Sequence, residues 1–78
     1  MHKGDKIYYA RIMPQLDWYE VCELKVRTVK EDYYVGLEDR TKRAHLFSYK
    51  SFKDEIVFKN RKDCLTKVKE AEKHKKKM

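Results

Sequence analysis

The chain has 78 residues, 41% of them hydrophobic, and its 20 Lys+Arg against 13 Asp+Glu give a formal net charge of +7. A domain of this length buries only about 60–65% of its unfolded surface, so the core must be dense and local, and a multi-domain architecture is excluded. Two Cys make no disulfide framework, and two Gly leave no glycine-rich phosphate loop.

The first strand occupies 6–13, after a turn at Gly4-Asp5, with Tyr8, Ala10 and Ile12 on one face and Ile7, Tyr9, Arg11 and Met13 on the other. Both faces are expected to be at least half buried. Pro14 cannot donate to a ladder, so a loop follows over 14–17. A second strand runs from 18 to about 30, and from Cys22 onward it alternates apolar and charged residues, as a strand with one wet face does. Its length implies a bend or bulge near Glu20 or Thr28.

Glu31-Asp32 turns the chain into a third strand, 33–38, where Gly36 marks a sharp bend or a close backbone approach. A polar loop over 39–42 leads to a fourth strand, 43–49, then to a single helical turn within 50–55 and a short fifth strand, 56–58.

Asn60 is an N-cap, and Asp63 sits where a capping-box acceptor belongs, at the positive end of the helix dipole. The helix is expected from Arg61 to about His74, with residues 75–78 frayed. Cys64, Leu65, Val68 and Ala71 fall within an arc of roughly 120°, a core-facing stripe. On the far side Lys62, Lys69, Lys73 and Lys76 fall within roughly 60° of each other. Pairs of Asp63 with Lys67 and of Glu72 with Lys76 are expected to support the helix.

These elements predict one mainly β (α+β) domain: a five-stranded bent antiparallel sheet or SH3-like barrel, closed by one C-terminal α-helix plugging an end. A flat sheet with the helix across one face is the alternative architecture. No apolar run approaches the roughly 20 residues of a membrane span, and Lys3, Asp5 and Lys6 do not fit a signal peptide. A cytoplasmic protein, with no membrane partner, is expected.

The charge is uneven. Residues 1–58 hold 11 Lys+Arg and 10 Asp+Glu, a balance of +1, whereas residues 59–78 hold 9 and 3, a balance of +6. Such asymmetry points to an anionic partner, with a merely solvated helix as the alternative reading. Lys62, Lys69 and Lys73, with Arg61 and Lys59, can follow a phosphate backbone. Arg40, Lys42 and Arg43 form a second basic cluster on the loop, where arginines suit bidentate contacts with phosphate or carboxylate. Tyr9, Tyr19, Tyr33, Tyr34 and Trp18 are either core residues or a stacking platform near Arg11 or Arg27. Tyr19 shares parity with Glu23, Lys25 and Arg27 and is the aromatic expected to be exposed.

Catalytic chemistry finds little support. His2, Cys22, His45, Cys64 and His74 lack metal-site spacing, so no metal or other cofactor is expected. The only nucleophile arrangement is Cys22 or Cys64 with His45, and free cysteines usually serve as small buried hydrophobes. Glu31-Asp32, Glu38-Asp39 and Asp54-Glu55 are explained by turns.

The opening Gly4-Asp5-Lys6-Ile7-Tyr8-Tyr9 and the closing Ile56-Val57-Phe58-Lys59-Asn60-Arg61-Lys62-Asp63-Cys64-Leu65 resemble small proteins of Gram-positive phages and integrated mobile elements. Those proteins often end in a valine-phenylalanine, cap, acidic residue, alanine junction, where this chain carries Cys64 as the small packing residue. The resemblance implies a phage or mobile-element origin and a binding role. The expected function is a non-enzymatic module engaging nucleic acid or a nucleoprotein through a basic helix face, with no small-molecule substrate. The alternative is a protein-binding inhibitor of a host or defence complex, of the anti-CRISPR type. A homodimer through an open sheet edge is a third reading.

Overall fold

Strong period-two patterning over the first three quarters of the chain produces strands, and the computed structural model describes residues 1–75. The strands β1 (Lys6–Met13), β2 (Trp18–Val29), β3 (Tyr33–Glu38), β4 (Ala44–Ser48) and β5 (Val57–Phe58) form one antiparallel sheet in the order β4-β3-β2-β1-β5. A one-turn helix, α1 (Lys50–Lys53), links β4 to β5, and α2 (Arg61–Lys75) follows. The sheet curls into a half-barrel whose end strands, β4 and β5, are not paired with each other.

Alternation along the strands creates two apolar faces, and both are covered along the paired β1 and β2. Inside the curl, Ile7, Leu24, Val26, Tyr34 and Val57 form the main core, flanked by Tyr9, Phe47, Tyr49 and Phe52. Tyr34 is its centre: the ring is fully buried, lies 5.3–5.5 Å from the rings of Phe47, Tyr49 and Phe52, and its hydroxyl meets the buried Ser51 Oγ at 2.6 Å. On the opposite face Ala10 packs under Cys64 and Val68 of α2, with Tyr8, Ile12, Tyr19, Val21 and Phe58 around them. The helix therefore lies across the back of β1 and β2 instead of plugging an end of the barrel. The apolar parity of Tyr8, Ala10 and Ile12 supplies the surface that draws it there.

Asn60 caps α2 as its sequence implies, with Oδ1 accepting the Lys62 N–H at 2.7 Å. Asp63 stays in the first turn but returns no hydrogen bond to Asn60, and the expected Asp63–Lys67 pair does not form. Lys67 instead reaches Glu55 at 3.0 Å, across the junction between α1 and β5. Lys75, expected at the start of the frayed end, still belongs to the helix, and the expected Glu72–Lys76 pair and residues 76–78 lie outside the described residues.

Strand ends differ slightly from expectation. Arg43 belongs to the β3–β4 loop, because Lys42 adopts φ 61° and its N–H closes on the Glu38 carbonyl at 2.9 Å, holding the chain in the turn one residue longer. Tyr49 already has helical dihedrals (φ −66°, ψ −17°) and leads into α1, and Glu55 at φ 58° delays β5 until Val57. The β2 bulge falls at Arg27, where the β2–β3 register shifts between Val26 and Thr28.

Gly36 is a close-approach glycine. A Cβ there would lie 3.2 Å from both Cβ and Cδ1 of Leu24, which is itself fully packed. Alanine normally favours a strand over glycine through chain entropy, but here the clash with an immobile neighbour prevails. Gly36→Ala is expected to lower unfolding stability by about 1–2 kcal/mol, read as a lower urea midpoint at unchanged slope; a raised midpoint would show that Leu24 gives way freely.

Candidate functional site

The inward parity of four strands brings charged groups together at one end of the half-barrel. Arg11 comes from β1, Trp18, Glu20 and Cys22 from β2, Glu38 from β3 and His45 from β4, and the register pairs Arg11 with Glu20 and Tyr9 with Cys22. Arg11 spans two carboxylates, with Nη1 2.9 Å from Glu20 Oε1 and Nη2 3.3 Å from Glu38 Oε2. His45 Nε2 donates to the same Glu38 oxygen at 2.9 Å. The guanidinium also lies over the Trp18 ring, 4.8 Å from its centroid, and 5.6 Å from that of Tyr9.

Arg11 and Glu38 are each only 8% exposed, so their charges are tolerated because they neutralise one another. The hydrogen bond from His45, opposed by burial and reinforced by Arg11, holds the Glu38 carboxyl below the usual carboxylate range. Burial, with a hydrogen bond to Glu20, pushes the Cys22 thiol up to about 12, and burial pushes Cys64 up to about 11. Neither cysteine is a thiolate at neutral pH. Pairing with His45 therefore offers no activated nucleophile. Among the described residues no group of His, Cys, Asp and Glu is arranged to hold a metal ion.

Above this cluster stands the β3–β4 loop. Arg40, Thr41 and Arg43 share with Arg11, Trp18 and Glu20 a cleft of about 350 Å3. A second recess of about 300 Å3 runs along residues 20–23 of β2, where β3 is no longer paired, and it is lined by Arg40 and by Arg61 of α2 together with Glu20, Glu23, Glu38 and Asp39. The structure thus gathers Arg40, Arg43 and Arg61 at one end, with Lys42 beside them near Asp39 (3.9 Å, both exposed). Lys62, Lys69 and Lys73 are exposed on α2, opposite its packed stripe.

Two expected site residues lie elsewhere. Tyr19 is half buried against the α2 core, because the face it shares with Arg27 is the one the helix covers. The exposed aromatic is its neighbour Trp18, at 41%. Arg27 is exposed at the bulge, roughly 30 Å further along β2 at about 3.3 Å per residue, and is not part of this end.

No family model, curated protein or solved structure matches the chain. Within the described residues, no helix is long and apolar enough to cross a membrane.

The Glu38 cluster escaped the sequence reading, which assigned Glu38 to turn chemistry. Its signal was present: Glu38 has the parity of Tyr34 and Gly36, Arg11 that of Ile7 and Tyr9, so two opposite charges were both aimed inward. Because the folded pKa of Glu38 is depressed, its contribution is fully present above the ordinary glutamate value, roughly 4.3, and is lost as pH falls through the lower folded value. Glu38→Gln is expected to cost about 3 kcal/mol at neutral pH and to flatten the acid limb of stability against pH, measured by urea unfolding across that range. A mutant retaining the wild-type acid limb would assign the titration to another group.

Proposed function

We propose that the protein is a non-catalytic module of phage or mobile-element origin that binds nucleic acid through its phosphates, using the β3–β4 loop and the outer face of α2. The observation that carries this reading is the sorting of charge. The buried cation Arg11 is doubly compensated, whereas Arg40, Arg43, Arg61, Lys62, Lys69 and Lys73 make no ion pair with any described residue. These six cations are exposed, on a loop and a helix that the fold holds in place. Exposed cations not engaged in ion pairs are what releases condensed counterions from a polyphosphate. The resemblance to phage and mobile-element proteins supports the assignment of origin.

A protein partner, the target of an inhibitor of the anti-CRISPR type, is the second reading. It is favoured by β4, an end strand without a charged residue whose Leu46 is 67% exposed. It requires a stoichiometric complex with a host protein and weak binding to nucleic acid alone.

Salt separates these readings. Under the phosphate mechanism, affinity for a labelled DNA strand, followed by anisotropy, falls steeply and log-linearly with salt. Reversing Lys62, Lys69 and Lys73 to Glu reduces the magnitude of that slope by about 2–3, the share of three phosphate contacts. A flat salt response, or triple-mutant binding identical to wild type, would remove the helix from the interface.

A further inference from the structure

We infer that the cleft between Trp18 and the β3–β4 loop is a subsite for one unpaired nucleotide, with the base stacked on Trp18 and its phosphate held by Arg40 and Arg43. This inference rests on the phosphate-binding reading and narrows it to single strands.

One side of the indole is occupied: the Arg11 guanidinium lies over it at 4.8 Å, locked from behind by Glu20 and Glu38. The residue is nevertheless 41% exposed, and it lines the cleft together with Arg11. An exposed aromatic ring held in place by a fixed cation at the wall of a cleft is a stacking platform, and stacking accepts any base because every base has a π-face. The platform needs no rearrangement to receive a ligand, since Arg11 is already fixed by its two carboxylates.

The polar lining fits the rest of a nucleotide. Glu20 and Glu38 share the single cation Arg11, which leaves that trio one negative charge, and Arg40 and Arg43, which make no ion pair with any described residue, turn the lining of the cleft positive. Both guanidiniums present planar donor forks suited to phosphate, and the Thr41 hydroxyl lies between them in the chain. A volume of about 350 Å3 lies at the small end of the range for ligand sites and suits a single nucleotide, not a stacked pair. A base inside a duplex cannot enter such a cleft without being unpaired, which is the physical reason to assign single strands.

Trp18 is the only tryptophan, so its emission reports this cleft alone. The test compares a short oligothymidylate with an abasic deoxyribose-phosphate strand of equal length, reading binding by anisotropy of the end-labelled strand and stacking by Trp18 fluorescence. Oligothymidylate is expected to quench Trp18 and to bind at least about tenfold more tightly than the abasic strand. Trp18→Ala is expected to remove that preference, leaving the salt-dependent binding common to both strands, and Trp18→Phe to retain part of it. Equal affinities with unquenched emission would overturn the stacking subsite while leaving the phosphate interface intact. Absence of binding by either strand would overturn both.

Discussion

The carboxylate of Glu38 is the group on which the functional end of the molecule depends. It is buried on β3 and satisfies two partners from two other strands, the Arg11 guanidinium and the His45 imidazole. A charge so far removed from water is costly unless compensated, and the compensation here is shared, because Arg11 also takes Glu20. Every buried side-chain nitrogen and oxygen among the described residues has a partner. The chain of contacts then passes outward from Glu38 to Arg11, from Arg11 to the Trp18 ring, and ends at the surface. A buried ion pair is poor evidence for stability, but it is a good device for immobilising an exposed aromatic ring.

The remainder of the fold supplies what so short a chain otherwise lacks. Covering both faces of β1 and β2, one by the curl of the sheet and one by α2, gives the chain two small cores in place of one large one. Tyr34 carries the first through its ring contacts and the Ser51 hydrogen bond, and Cys64 and Val68 seal the second. The helix that completes the second core leaves its opposite side as the lysine face, so packing and charge presentation are two sides of one element.

Local chemistry was legible in the sequence. Alternation located the strands, Pro14 and the polar turns separated them, Asn60 marked the start of α2, and Gly36 marked a bend or a close approach, which the fold resolves as an approach to Leu24. What local chemistry cannot show is which face a distant element covers. Tyr19 illustrates this: its parity with charged neighbours suggested solvent, but α2, some forty residues later, lies over that part of the strand. Lys67 likewise chose Glu55 over the neighbour one turn away, because the junction before β5 folds back beside the helix. The basic residues of the loop and helix were recognisable singly. Their convergence with Trp18 was not, since Arg11, Trp18 and Arg40 are brought together by the pairing of three strands and not by spacing along the chain.

The two-sided burial of β1 has a further consequence for how the chain finds its native pairing. Ile7 and Tyr9 on one face and Tyr8, Ala10 and Ile12 on the other are all apolar or aromatic, so a slip of one residue would still offer greasy surface to both cores. Hydrophobicity alone therefore specifies this strand weakly. Arg11 breaks the degeneracy. In the native alignment it meets Glu20 directly across the β1–β2 ladder and Glu38 beyond it; slipped by one, it would be driven beneath α2 among the apolar Cys64 and Val68, away from both carboxylates. The arginine that backs the exposed tryptophan is also the pin that sets the hairpin's register.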